Sequence, residues 1–477
     1  MTANQQTGRK MIKSRAGYIG ALMMLLTGCA VGPDYQPRTV DDLGVPAHYS
    51  AWGPEGKAKN LANWWTQFDD PELGSLVERA LNANLDIAQA VARLRQARAA
   101  LIQSRADFLP SVEGSAGAGR NFDNKLPDHN SYSLGADAQW TVDLFGGVRR
   151  SIQASHADLQ AAGYDLASVQ TAVAAETANN YIALREAQAR LAIARDVLGT
   201  QDENLQIARW RVRAGLVSSL DAEQARTQRA QTAATIPGLE TAVVAAQNRL
   251  AVLIGVAPGT LKQELSGEQS IPAGPEQIAA GIPADTLRQR PDVRGAERAL
   301  AAATARIGVA KAQLFPALTI TGNVGTSSLK LGNLGDVITG GLFAGLSQII
   351  FDGGRRLAAV RSQQAAAEGA LAAYRQTVLT ALEDVENGLV GLEAAHDQRE
   401  ALTQALESAN NSAILARSQY RAGLTDFQTL LDAERQLLSA RDGLASSEAG
   451  ESSALIQLYL ALGGGWNSEA RLPDGRR

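Results

Sequence analysis

The chain of 477 residues holds a single cysteine, Cys29. That excludes an internal disulfide and any zinc site built on several thiolates. Aromatic residues are scarce, at 5%. Abundant Ala, Gln and Arg fit long solvated helices better than a thick globular core. The 4 histidines, His48, His129, His156 and His396, are scattered and form no His-x-x-x-His pair. Residues 53–57 (GPEGK) lack the spacing and the Ser/Thr of a phosphate loop. The glycines around 332–345 fall in an expected loop and strand, so they carry no nucleotide fingerprint. No enzyme reading survives this inventory, and no cofactor is implied. The net charge is only -4, with no basic stripe, so nucleic acid is not an expected partner.

The first residues read as an address. Arg9, Lys10, Lys13 and Arg15 precede a short apolar stretch over 16–27. At about 12 residues it falls short of the ~20 that span a bilayer. It ends in Leu26-Thr27-Gly28-Cys29, which resembles a bacterial lipobox. Cys29 is then the expected lipidated N-terminus of the mature chain. The plainer alternative is a lone cysteine closing an ordinary signal peptide.

Proline is also rationed. None stands between Pro127 and Pro237, nor between Pro316 and Pro473. Leu184, Leu191, Leu198, Leu205 and Val212 recur every seven residues within the first stretch, and Leu371, Val378, Val385 and Leu392 within the second. A sustained period of seven means helices packed side by side. Long helices are expected over about 148–212 and 355–420, each roughly 95–100 Å at 1.5 Å per residue. Shorter ones are expected over about 71–108, 217–254, 291–314 and 425–462.

What is present is present twice. Residues 106–110 (ADFLP) return at 312–316 (AQLFP). Residues 144–150 (LFGGVRR) return at 350–356 (IFDGGRR), and Arg213-Ala214-Gly215-Leu216 returns as Arg421-Ala422-Gly423-Leu424. The offset drifts only from 206 to 208, so two equivalent halves are expected. The expected division is 1–28 signal peptide, 29–70 extended lipid-anchored segment, 71–262 first repeat, 263–465 second repeat and 466–477 tail.

Between its short and long helix each half switches to period two. Leu134, Ala136, Ala138, Trp140 and Val142 alternate with small or polar residues, and Val112, Gly114, Ala116 and Ala118 form a weaker partner strand. Leu318, Ile320, Gly322 and Val324 do the same, with a return strand expected within 341–351. That makes four amphipathic strands, each long enough for a membrane at ~9–11 residues. Open edges are not tolerated in lipid, and four strands cannot close. Two copies would give eight strands and a filled interior. Three give twelve and room for water, and the polar inner faces favour three.

Residues 63–73 (NWWTQFDDPEL), the prolines at 110 and 316, Arg290-Pro291-Asp292-Val293, Ile307-Gly308-Val309-Ala310 and Phe351-Asp352-Gly353-Gly354-Arg355 together resemble the TolC-like outer-membrane efflux proteins. The lipoprotein branch serving resistance-nodulation-division pumps, the NodT type, is the nearest match. The resemblance implies a mainly α chain with a membrane β part. It implies a homotrimer in which a twelve-stranded β-barrel continues into a twelve-helix α-barrel. It implies docking to a periplasmic adaptor and an inner-membrane resistance-nodulation-division pump. The implied function is a passive exit duct for small molecules in the cell outer membrane. A bridging coiled-coil lipoprotein and a duct for a protein substrate are the alternatives.

The resemblance also assigns a gate just beyond the two Arg-Ala-Gly-Leu turns. Asp432 matches a pore-facing aspartate, and Asp221 one that bonds a tyrosine matching Tyr420. Some members carry an arginine where Thr425 stands, so Phe427 is an alternative seal by packing. Independently of family, three copies of one carboxylate on an axis form an anionic ring. Gly146, Gly147, Gly353 and Gly354 are expected at the barrel–helix junction. There Arg149-Arg150 and Arg355-Arg356 are expected to contact lipid phosphates or adjoining helices, or to be simple solvated helix starts.

Overall fold

The computed structural model describes residues 30–39, 41–50, 61–122, 127–275 and 283–467. Cys29, the signal segment and residues 53–57 lie outside them. The first half runs α1 (Pro71–Ala83), α2 (Leu85–Ala106), β1 (Ser111–Asn121), β2 (His129–Val142), α3 (Gly147–Arg213) and α4 (Ser219–Leu253). The second runs α5 (Pro283–Gln289), α6 (Pro291–Ala312), β3 (Ala317–Ser328), β4 (Ile338–Ser347), α7 (Arg355–Ala422) and α8 (Phe427–Ala461).

The helices α3 and α7 have 67 and 68 residues, about 100 Å each. Both begin on a left-handed glycine, Gly146 at φ 78° and Gly354 at φ 87°. An aspartate caps each start. Asp143 accepts from the backbone N–H of Val148 and Arg149, and Asp352 from those of Gly354 and Arg356. The two starts are 208 residues apart, although the letters of the surrounding motif repeat at 206. β2 and β4 already carry the 208 offset while β1 and β3 carry 206, so the two-residue step falls between the strands of the hairpin, the second half being two residues longer there. Gly215 and Gly423, both at φ 73°, end the long helices. Leu216 donates back to the Arg211 carbonyl and Leu424 to that of Gln419. This is the bonding of a glycine-terminated helix end.

Two expectations are corrected. The helix expected over 71–108 breaks at Asn84, whose side chain accepts from the backbone of Asp86 and Ile87 and so restarts the helix. The return strand β4 starts at Ile338, three residues before the expected range. The division also shifts. The segment before 71 is not simply extended, because Leu61–Phe68 forms 3-10 turns that sink Trp64, Trp65 and Phe68 into the main core. Trp466, counted with the tail, belongs to the body. Its indole donates to the Gln289 carbonyl at 3.0 Å and its ring packs edge-on to Tyr164.

The strands form one antiparallel sheet in the order β1-β2-β3-β4. Its register runs through both halves, with Val112 opposite Ala138, Ala138 opposite Gly322 and Gly322 opposite Leu342. Even-numbered residues therefore share one face and odd-numbered ones the other. The even face carries Val112, Leu134, Trp140, Ile320, Val324, Leu342 and Leu346. The odd face carries Glu113, Asp137, Gln139, Thr321 and Asn323. Among the described residues the outer edges of β1 and β4 are unpaired.

α3 packs against α2 and α4 on one side and α6 and α8 on the other, with α1 also on it, whereas α7 packs against α6 and α8 and, at one place, the short α5. The start of α2 meets the end of α4, where Asn84 donates to the Leu253 carbonyl at 2.9 Å. The start of α6 meets the end of α8 in the same way, where Arg290 donates to the Ala461 carbonyl at 3.1 Å. Residues 206 apart thus fill the same joint with different side chains.

Candidate functional site

The far end of the long helices is a small, separate core. Tyr420, Phe427, Leu430, Leu431, Ala416 and Ala208 are all buried there. The Tyr420 and Phe427 rings lie 5.3 Å apart. The Arg211 guanidinium sits 4.3 Å from the Tyr420 ring centroid and donates to the Tyr420 carbonyl at 3.2 Å. The Tyr420 hydroxyl is buried and has no hydrogen-bond partner within the chain. It is not bonded to Asp221, which is half-buried in the first turn of α4. Phe427 is buried inside this core, with 2% exposure.

Asp432 is half-exposed one turn further along α8. Gln428 donates to its carboxylate at 3.1 and 3.2 Å, and Arg435 pairs with it. Asp426 caps the same helix by accepting from the Thr429 backbone at 2.8 Å. Hydrogen bonds from Thr429 hold the Asp426 carboxyl below its usual range. Two residues past Asp432 stands a group the sequence reading missed. Glu434 is buried, accepts two bonds from the Asn204 amide at 2.7 and 2.8 Å, and pairs with Arg417 at 3.2 Å. It ties α3, α7 and α8 together beneath the tip. An Asn, an Arg and a Glu on three separate helices gave no spacing signal.

At the other end, near the sheet, the two arginine pairs behave differently from one another. Arg149 is half-buried and Arg355 exposed. Arg150 is buried and grips the N-terminal segment. It donates to the Val31 carbonyl at 3.2 Å and the Gly32 carbonyl at 3.3 Å, and pairs with Asp34 at 2.7 Å. Arg356 donates to the Gln313 carbonyl. Of the roles expected for these arginines, Arg150 and Arg356 contact adjoining protein. Gly146 and Gly308 leave room for the same segment. A Cβ on Gly146 would stand 2.6 Å from Ala30, and one on Gly308 would meet the Arg150 side chain at 2.7 Å. Gly147 lies against Ala312 and Gly353 is open.

Midway along, Arg185 is 99% buried as the hub of a polar cluster. It pairs with Glu72 at 2.5 Å and donates to Gln188, the Gly267 carbonyl, the Tyr181 hydroxyl and Gln269. Burial pushes the Tyr181 phenol well above its usual range, partly opposed by Arg185. The cluster locks the crossing between the repeats onto α3. Among the described residues no His, Cys, Asp and Glu gather in a metal-binding group. No described helix is long and apolar enough to cross a membrane, which says nothing of the sheet.

The family model described as outer membrane efflux protein matches residues 76–256 and 282–464, one block in each half. Nodulation protein T of Rhizobium leguminosarum bv. trifolii is 31% identical over 456 residues, 94% of this chain and 97% of that protein. The pyoverdine export outer membrane protein OpmQ of Pseudomonas aeruginosa is 33% identical, over 91% of this chain and 94% of its own length. Among solved structures, the outer-membrane channel OprN is 37% identical with a TM-score of 0.84, covering 92% of this chain and all of that one. The open state of the Neisseria gonorrhoeae MtrE channel is 26% identical with a TM-score of 0.80, covering 93% of this chain.

Proposed function

This chain belongs to the outer membrane efflux protein family, and on that premise we propose how it works as an efflux channel of the outer membrane. Three copies close one duct. A periplasmic adaptor and an inner-membrane pump of the resistance-nodulation-division class load it with small molecules. Cys29 carries the lipid anchor. The observation that supports closure is an imbalance between equivalent helices. Of nearly equal length, α3 has 25 buried residues and α7 only 9. The flank of α7 that corresponds to a covered side of α3 exposes Leu379, Val390 and Leu415. Burying apolar area of this kind is worth roughly 25 cal/mol per Å². On α3 that flank is covered by α6 and α8, the second-half counterparts of α2 and α4, so α2 and α4 of a further copy fit α7. The free edges of β1 and β4 require the same neighbour.

The gate lies at the tip. Asp432 supplies one carboxylate per copy to a ring near the axis. Two such charges at ~4 Å repel by about 1–4 kcal/mol at ordinary effective dielectric, and Arg435 beside each carboxylate offsets part of that. With α4 of the next copy against α7, Asp221 of that copy comes to the unpartnered Tyr420 hydroxyl. Phe427 stiffens the tip from within by packing on Tyr420. Arg355, exposed below the sheet, meets outer-membrane lipid.

Planar-bilayer recording tests the duct and the gate together. The purified protein is expected to conduct, mostly shut, with cation preference. Asp432→Ala is expected to weaken that preference and alter conductance. Parent-like selectivity and open fraction in Asp432→Ala would remove Asp432 from the gate. Mass measurement in detergent tests the stoichiometry, and mass spectrometry of the mature N-terminus tests acylation at Cys29.

A further inference from the structure

The duplication lets one seam of the sheet be copied onto the next. We propose that β4 pairs with β1 of the partner subunit in a single register, with Leu346 opposite Ala116 of the partner subunit. This rests on the closure reading above and goes further, to the residue level. The template is the seam inside the chain, where β2 meets β3 with Ala138 opposite Gly322 and Trp140 opposite Ile320. To move that seam onto β4 and β1, two shifts are needed.

The β1-to-β3 shift is 206, because Pro110 and Pro316 start the two strands and Ser111 corresponds to Ala317. The β2-to-β4 shift is 208. Ser111 pairs with Gln139, whereas Ala317 pairs with Ser347. One hydrogen bond recurs with the same two shifts. The Trp140 indole donates to the Phe108 carbonyl and the Gln348 amide to the Leu314 carbonyl, each at 3.1 Å. Phe108 and Leu314 differ by 206, Trp140 and Gln348 by 208. The pair Ala138–Gly322 therefore maps to Leu346 with Ala116 of the partner subunit, and Gly135–Gly325 maps to Phe343 with Gly119 of the partner subunit.

Side chains agree with this register. Even residues stay with even ones, so the apolar and polar faces continue across the seam without a flip. Phe343, 63% exposed on the polar face, falls opposite Gly119 and beside Gly117, which have no side chains to obstruct it. Repeating the letters at 206 on both strands instead would place Leu346 opposite Gly114, about 7 Å along the strand.

The test uses full-length protein with Leu346→Cys combined in turn with cysteine at 112, 114, 116, 118 or 120, each oxidised in detergent. Covalent dimers and trimers on a denaturing gel are expected to peak for Leu346→Cys with Ala116→Cys. They should exceed the Arg120→Cys combination by about tenfold or more, since disulfides need Cα atoms within about 7 Å. A peak at another position in an assembled trimer overturns the register and leaves the trimer standing. A parent protein that is not trimeric by mass removes the closure reading and this inference with it. If the lipid-face variants fail to assemble, Phe343→Cys with Gly119→Cys asks the same question on the polar face. Cross-linking there no better than with Asn121→Cys overturns the register.

Discussion

The Arg211 guanidinium lies 4.3 Å from the centre of the Tyr420 ring, joining the ends of the two long helices within one chain. The ring is thus held from its own chain, while its buried hydroxyl has no hydrogen-bond partner there. The two halves of Tyr420 can be tested separately. Arg211→Met is expected to raise the open-to-closed ratio about 2–30-fold, the equivalent of ~0.5–2 kcal/mol for a cation over a ring. Tyr420→Phe keeps the ring and removes only the hydroxyl. It is expected to raise that ratio by about tenfold or more if a carboxylate takes the hydroxyl in the assembly. An unchanged ratio in Tyr420→Phe would release Asp221 from the gate and leave Arg211 in it. Single-channel open probability reads both.

Glu434 is buried between three helices. Glu434→Leu strands the Asn204 amide and Arg417, and is expected to cost on the order of 2–4 kcal/mol. Glu434→Gln keeps one bond to Asn204 and should cost less. Thermal unfolding of the assembled protein measures the order, and equal melting points for both variants would contradict it.

Arg185→Met should be more damaging than any exposed arginine variant. It leaves Glu72 and the Gly267 carbonyl without their donor, a loss of about 3–5 kcal/mol for a broken buried pair. Arg195→Met, whose partner Glu240 is exposed, should cost under about 1 kcal/mol. Parallel melting curves of the two variants decide it.

Arg150→Met should loosen residues 31–34 without unfolding the sheet, because the guanidinium holds two carbonyls and Asp34 of that segment. Protease cleavage near residue 34 is expected to quicken while the oligomer mass stays constant. Unchanged cleavage would mean that packing against Gly308 and the backbone bond from Val31 to the Phe145 carbonyl retain the segment without the guanidinium.

Acid should fray the first turn of α8. The Asp426 carboxyl is held below its ordinary value by Thr429, so its capping contribution is fully present above about pH 4. It is lost as pH falls through the lower folded value. A spin label at Thr425 should gain mobility in that acid window in the parent. In Asp426→Ala it should be mobile throughout. A parent-like pH response in Asp426→Ala would assign the change to another group.

Most elements were readable because their causes are local. The long helices follow from a seven-residue repeat without proline, and Gly215 and Gly423 mark their ends through a backbone angle that glycine adopts freely. The strands follow from strict alternation, although β1 and β4 read weakly because small residues and glycines dilute the pattern. The break at Asn84 was hidden by apolar spacing that continues across it. The Glu434 and Arg185 clusters were hidden because their members lie far apart in sequence, such as Glu72 and Arg185.

By itself the sequence determined the two halves, the period of each element, the turn glycines and the amphipathic strands that cannot close alone. Periodicity and backbone preference act within a few residues, so they survive in the order of letters. Only the tertiary structure decided which helix is covered and which is bare. Only it decided that Arg150 grips the N-terminal segment, that Tyr420 is held by Arg211, and that the second half carries its two-residue step between β3 and β4. Those outcomes depend on desolvation and pairing between groups as far as 209 residues apart, as Arg211 and Tyr420 are, and the energies that settle them exist only once the chain has brought the groups together.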